Sequence, residues 1–285
     1  MSHTKWRYSM FRKVAISVGL GLAISVPAQA QQYIGKVYKW EVDADYTTGE
    51  YSGNFDDTEF DNAGISGSYF FGGVNNTKGP YSEAAFLDHA SDITASYKYR
   101  EIDDNGIDVD GDEYGISGRY VTDGAGWILQ GSYTRLEPVD AEIDTYTIGA
   151  GKYLGENTTL VANYWNGDVD DGGDTDGASV GLEHFWALSS GGIKLEGNYG
   201  FVNVDDADDI DIYNLTGTWY VNNNLGFGAG YGNFDAGGFE AEQYTAFAEW
   251  FVTKGIAANL EYVHQELDDT DFEVDSIALG VRLRY

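Results

Sequence analysis

The chain has no cysteine, only 3 prolines and only 16 lysines and arginines in 285 residues. Beyond its first thirty residues it has no long apolar run. Each shortage removes a class of protein. Without Cys there is neither a disulfide framework nor a thiolate metal site. With so few cations set against 47 Asp and Glu, nucleic acid is not expected as a partner, because phosphate binding needs Lys and Arg. A spanning helix needs roughly 20 apolar residues. Any membrane-embedded form must therefore be a closed β-barrel, the other structure that satisfies its backbone in lipid. The formal charge of −31 is extreme, yet 42% hydrophobic residues, 15% aromatics and 22 Tyr argue against a disordered acidic chain. Gly, at 38 residues, is about twice its usual share of roughly 7%.

Residues 1–30 read as a separate object. Lys5, Arg7, Arg12 and Lys13 form a basic stretch, Val14 to Val26 an apolar one, and Ala28-Gln29-Ala30 a small-x-small cleavage site. That is a secretory signal peptide cut after Ala30, too short in its apolar part for a membrane anchor. Its removal takes away four cations and no acid, which moves the formal charge from −31 to −35. Residues 31–285 then form the exported domain.

From Lys36 onward one unit recurs: an alternating segment, a Gly/Asn turn, another alternating segment, then an acidic stretch. Trp40, Val42, Ala44 and Tyr46, with Tyr38 before them, share one parity, whereas Lys39, Glu41, Asp43 and Asp45 share the other. Period-two alternation puts apolar side chains on one face of a strand and polar ones on the opposite face. Fourteen such segments can be counted, within a range of 12 to 16. Aromatics cluster near their ends, as two interfacial girdles require. Short turns, such as Asp123–Ala125, Asn222–Asn224 and Thr253–Gly255, alternate with seven acidic loops at about 47–61, 103–112, 137–143, 167–176, 205–211, 235–242 and 266–275. These loops hold 32 of the 47 acids and no Lys or Arg. The expected fold is an all-β, antiparallel, up-and-down transmembrane barrel, with short periplasmic turns and acidic extracellular loops. A water-soluble sandwich or lipocalin-like barrel has the same periodicity with the faces reversed, so periodicity alone leaves it open.

The last segment, Glu273 to Tyr285, alternates strictly and ends the chain on an aromatic residue. Gly280, Leu283 and Tyr285 resemble the carboxy-terminal signal strand of Gram-negative outer-membrane β-barrels, with Ala278 where that family usually carries a polar residue. A second element, Gly79-Pro80-Tyr81-Ser82-Glu83-Ala84-Ala85-Phe86-Leu87, resembles small general porins of Gram-negative bacteria. Together the resemblances imply outer-membrane localisation, recognition by the barrel-assembly machinery, contact with outer-membrane lipid and lipopolysaccharide, and passive diffusion of ions and small hydrophilic solutes. They carry over no catalytic residue.

Fourteen strands about 4.8 Å apart and tilted about 40° give a backbone diameter near 28 Å, too wide for a simple packed core. The parity opposite to the apolar row supplies the candidate pore lining: Lys39, Glu41, Asp43, Lys98, Arg100, Arg119, Lys194, Glu196, Glu249, Glu261, Arg282 and Arg284. Mixed charges there read either as a water-filled lumen or as a ladder of internal ion pairs closing the barrel. With Lys39, Arg119, Lys194, Arg282 and Arg284 near the turn ends and acids at the loop ends, weak cation preference is expected. On Leu225–Gly232 every inward position is Gly, and Phe247 and Phe251 are expected to lie over that bare stripe. Residues 72–91 stand where a short turn belongs and are the candidate plug or collar, on the periplasmic side.

Other functions find less support. The mature chain has only His89, His184 and His264, and the last two share the parity of the apolar row, so an outer-membrane hydrolase lacks its site. Asp108-Val109-Asp110-Gly111-Asp112 begins like a calcium loop, but Glu113 stands where Gly is needed and Arg119 where the chelating Glu belongs. No metal site and no cofactor are expected, beyond divalent cations held loosely at the acidic loops. A structural or adhesive barrel with acidic loops remains the alternative to a pore. Neither the solute nor the oligomeric state is legible.

Overall fold

The computed structural model describes residues 37–52, 58–104, 107–138, 142–169, 174–204, 209–236, 239–267 and 272–285. Residues 1–30 and the tips of the acidic loops lie outside the described residues. The strands are β1 (Val37–Ser52), β2 (Thr58–Asn75), β3 (Asp92–Asp104), β4 (Ile107–Val121), β5 (Trp127–Pro138), β6 (Ile143–Tyr153) and β7 (Thr158–Val169). They continue as β8 (Thr175–Leu188), β9 (Gly191–Val204), β10 (Ile210–Asn222), β11 (Leu225–Ala236), β12 (Phe239–Thr253), β13 (Ile256–Leu267) and β14 (Glu273–Arg284). Each pairs antiparallel with its sequence neighbours, and β14 closes on β1, so the fourteen strands form one barrel. No sheet edge is left open.

The apolar row of nearly every strand points outward. Ile148, Leu129, Leu279 and Trp250 are each more than half exposed, and the same holds for much of the row around the barrel. A water-soluble sandwich would bury these side chains. An uninterrupted apolar outer surface on this scale belongs to a protein surrounded by lipid.

Three features depart from the sequence reading. First, the strands run further into the acidic stretches than expected; β1 reaches Ser52 and β2 begins at Thr58. Antiparallel pairing satisfies the backbone there whatever the side chains, and Tyr51 packs on Phe60 at 5.0 Å and on Phe272 at 5.9 Å. Second, the β1–β2 register shifts between Tyr38 and Trp40. The amides of both Lys39 and Trp40 donate to the Tyr285 carbonyl, at 3.0 and 2.9 Å, so two residues oppose one. This bulge breaks the alternation. Tyr38 is buried beside Phe70 inside the barrel, and Lys39 becomes the exposed extra residue instead of continuing the inward row of Glu41.

Third, one end of the lumen is filled. After β2 the chain passes Gly73 (φ 73°), turns through Gly79 and Pro80, forms the single helical turn α1 (Ala84–Leu87) and leaves through His89 (φ 53°). This insert lies at the end of the barrel where the short turns are. Phe86 and Leu87 join Val121, Ile128, Tyr153, Phe185 and Tyr220 in one buried cluster, and Ala84 joins Tyr38, Phe70 and Val74 in another. Strand side chains alone do not span that diameter; the insert supplies the missing core. A methyl on Gly79 would sit 2.6 Å from Leu87 Cδ1, so the turn returns closely on the helix and a side chain there would have to displace the end of Leu87.

Candidate channel interior

The interior divides into a turn end packed around the insert and a polar remainder. Two ionic clusters tie the insert to the wall. At the closure seam, Glu41 pairs in register with Arg284, and Asp43 with Arg282. Alternating side chains on facing strands bring these charges together across the ladder. Arg284 Nε donates to Glu41 at 2.5 Å and Nη1 donates to the Tyr81 carbonyl of the insert at 2.5 Å. Its guanidinium lies 4.6 Å from the Tyr38 ring centre and 4.8 Å from that of Phe251, and its side chain is only 3% exposed. Arg282 donates to Asp43 at 2.7 Å and to Glu249 of β12 at 2.8 Å. Glu249 also accepts from the Ser82 hydroxyl of the insert.

On the far wall Lys194 faces three carboxylates, Glu83 of the insert at 3.1 Å, Glu183 at 2.8 Å and Glu196 at 3.2 Å. The Tyr220 hydroxyl donates to Glu83. Burial pushes the Glu83 carboxyl above its ordinary value, against the opposing pulls of Lys194 and of the Tyr220 bond. Tyr153 of β6 donates to the Phe86 carbonyl at 3.0 Å and receives a bond from Arg119 at 3.1 Å. His89 stacks on the same Tyr153 ring, 3.7 Å between centres, and its Nε2 meets the Glu156 carbonyl at 2.9 Å. Contacts with β6, β9, β10, β12 and β14 reach around the circumference, which places the insert across the lumen.

Beyond the insert the inward positions are mostly hydroxyls, amides and glycines. Ser68 and Thr94 bond through their hydroxyls at 2.7 Å, and Gln130 donates to Asn163 at 2.7 Å. Both buried apolar clusters, by contrast, belong to the turn end. Arg100 pairs with Glu113, whereas Lys98 and Glu261 have no ion-pair partner among the described residues. The glycine stripe of β11 has mixed cover. A methyl on Gly228 would lie 2.0 Å from Phe247 Cζ, so that ring lies over the glycine as expected. Phe251 does not cover the stripe. It is buried against Tyr81 at 5.7 Å, and Tyr220 covers Gly226 instead. The sequence pattern could not weigh a competing aromatic partner from an insert 170 residues away.

The remaining sequence-predicted residues are placed as follows. Gly280 faces Asn259, whose Oδ1 would lie 2.1 Å from a methyl there, so the glycine admits that side chain. Leu283 is buried at 4% exposure, and the Tyr285 ring stacks on Trp40 at 6.4 Å with 15° between planes. His184 contacts Trp186 and meets the Thr158 hydroxyl at 2.6 Å, and His264 meets Asp275 at 3.0 Å. Among the described residues no three His, Asp or Glu side chains are placed so that they could hold a metal ion. Tyr81, Ser82 and Glu83 all bind the wall. They fall inside the Gly79–Leu87 element already notable in sequence.

Comparison with known proteins agrees with this architecture. A family model described as "Putative general bacterial porin" matches residues 40–185, a span that includes the insert. Among solved structures, the Acinetobacter baumannii outer membrane protein Omp33 superposes with a TM-score of 0.65 at 21% identity, covering 88% of this chain and all of that one. A bacterial polysaccharide outer membrane secretin gives 0.54 at 12% identity, with 87% and 99% covered. The ΔS2S3 mutant of the monoaromatic hydrocarbon channel TodX gives 0.53 at 12% identity, with 92% and 93% covered. At these identities the likeness is one of fold. No curated protein matches the chain.

Proposed function

The chain belongs to the general bacterial porin family, and from that membership we propose that it passes ions and small hydrophilic solutes through the outer membrane with weak cation preference. The observation that carries this reading is the composition of the two faces. An apolar exterior encloses an interior of hydroxyls, amides, glycines and charges that only water could solvate, except where the insert fills it. At the turn end, Lys194, Arg282 and Arg284 face six carboxylates: Glu41, Asp43, Glu83, Glu183, Glu196 and Glu249. That acid excess, with the acidic stretches at the opposite mouth, favours cations along the path.

In this reading the short turns face the periplasm and the acidic loops face outward. Gly280, Leu283 and Tyr285 present the assembly signal, and the signal peptide is removed after Ala30. The insert is a resident plug that narrows the periplasmic exit, and conduction passes beside it or follows its displacement. Reversal potentials of the refolded protein in planar bilayers under a KCl gradient test the selectivity; a clear anion preference would sink it. The filled turn end favours one rival, a structural or adhesive barrel that never conducts. Absence of current from both the wild type and a variant lacking residues 77–89 would establish that rival.

A further inference from the structure

Between the insert and the acidic stretches the inward row is polar, but nearer the mouth it changes character. On β10, Thr216 and Asn214 face the lumen while Leu215 and Tyr213 face out. One step on, Asp211 is outward, bonded by the outward Tyr199 at 2.8 Å, and Ile212 is inward. β14 switches in the same way: Ser276 is inward beside the outward Ile277, then Val274 is inward while the outward Asp275 accepts from Tyr262 at 2.5 Å. On β1 the pairing with β14 runs unbroken from Glu41 to Ser52. Tyr51 therefore continues the inward row of Glu41 and Asp43, and Glu50 faces out. The pleat alternates throughout; what reverses is the chemistry of its two faces.

Beyond the lipid the outer face meets water and carries the acids, while the inner face is apolar. Tyr51, Phe60 and Phe272 form one patch at the seam, with 5.0 and 5.9 Å between ring centres, and all three are half-buried. Phe234 of β11 is 38% exposed. Across the barrel, on β7, the half-buried Trp165 ring lies over the bare backbone of two neighbouring strands. A methyl on Gly177 would strike its six-membered ring, and one on Gly200 would sit 3.4 Å from Cη2. The glycines let that ring lie along the wall instead of projecting into the passage.

An apolar surface of this kind calls for a cover. The loop tips, outside the described residues, are rich in Asp and Gly, and Phe55 and Val139 are their only large apolar residues. By composition they do not supply it. The surrounding charge selects what does. The acidic loops hold 32 of the 47 acids and no Lys or Arg. The inward cations of β3, Lys98 and Arg100, lie deeper than this collar, and Arg100 is paired with Glu113.

We propose that the mouth is a vestibule that takes up organic cations with an apolar or aromatic body, with Tyr51, Phe60, Phe272 and Trp165 as their contact surface. The negative mouth concentrates the cation, the apolar body covers the collar, and a positive charge is attracted to the aromatic faces. An anion with the same body is repelled, and a small cation gains nothing from the collar. The proposal names a solute class for the porin reading and rests on that reading for passage, but binding at the mouth is measured without current.

The test is equilibrium binding of three probes to the refolded full barrel in lipid vesicles, with protein-free vesicles as the blank. The probes are benzyltrimethylammonium, tetramethylammonium and benzenesulfonate. Benzyltrimethylammonium should bind at least about tenfold more tightly than either of the others, the order expected for burying one phenyl ring. Phe272→Ser and Trp165→Ser, each shown to be folded by gel mobility, should weaken its binding about threefold or more. Leu195→Ala, an outward change on β9, should leave it unchanged. A benzyltrimethylammonium affinity matched by either other probe, or folded variants that bind it as the wild type does, would overturn the proposal. Should one variant fail to fold, the other and the three-probe comparison still decide it. A barrel that conducts KCl without this preference sinks the proposal and leaves the porin reading standing; one that shows the preference but never conducts does the reverse.

Discussion

The Arg284–Glu41 pair is the sharpest point at which closure of the barrel can be measured. Its two side chains are 3% and 13% exposed, and the register sets them directly opposite across the seam. Removing one member of a pair buried this deeply costs about 3–5 kcal/mol, because the remaining charge is left without compensation. Arg284→Ala also removes a guanidinium from two aromatic faces, each worth about 0.5–2 kcal/mol. Arg282, with Nε 3.7 Å from Glu41, takes up part of the exposed charge. We therefore expect Arg284→Ala and Glu41→Ala each to cost about 4 kcal/mol. The double variant should cost little more than either, since it leaves no orphaned charge at the pair. Urea unfolding in vesicles, followed by the gel mobility that separates folded barrel from unfolded chain, gives the full cycle. Single variants whose effects add to within about 0.5 kcal/mol would refute the reasoning, because they would show that the two residues do not interact.

The insert predicts a pH dependence. The folded Glu83 carboxyl holds its proton more tightly than a free one, so the seated insert is most stable below the ordinary value of 4.5 and loses stability as the pH climbs through the raised value. Protease accessibility of residues 77–89 should rise over that interval in the wild type and stay flat in Glu83→Gln; a flat wild-type profile would contradict the assignment. The glycine stripe predicts a contrast. Gly228→Ala forces the Phe247 ring aside and should cost about 1–3 kcal/mol. Gly217→Ala, where a methyl meets nothing within 4 Å, should change stability by less than about 0.5 kcal/mol in the same unfolding assay.

Much of this was legible because a barrel strand states its two environments in alternate residues. The parity of Ile116, Leu129 and Trp250 against Ser117, Gln130 and Glu249 is local and survives any change in the distant fold. The bulge at Lys39 was not legible, since one extra residue opposite Tyr285 depends on a strand 240 positions away and flips Tyr38 without altering its composition. The filled turn end was half legible. Residues 72–91 stood out by length and by Gly79-Pro80, but nothing local told that Glu83 would meet Lys194 or that Tyr81 would draw Phe251 away from the glycines.

The central claim is that the interior beyond the insert is a water-filled passage, and unitary conductance tests it most directly. Refolded wild-type protein and a variant with residues 77–89 replaced by a short Gly-Asn turn should be recorded in the same planar bilayers, each first shown to be folded by gel mobility. Discrete current steps in the wild type, with larger unitary steps in the variant, are the predicted result. Two folded proteins that pass no current would contradict it.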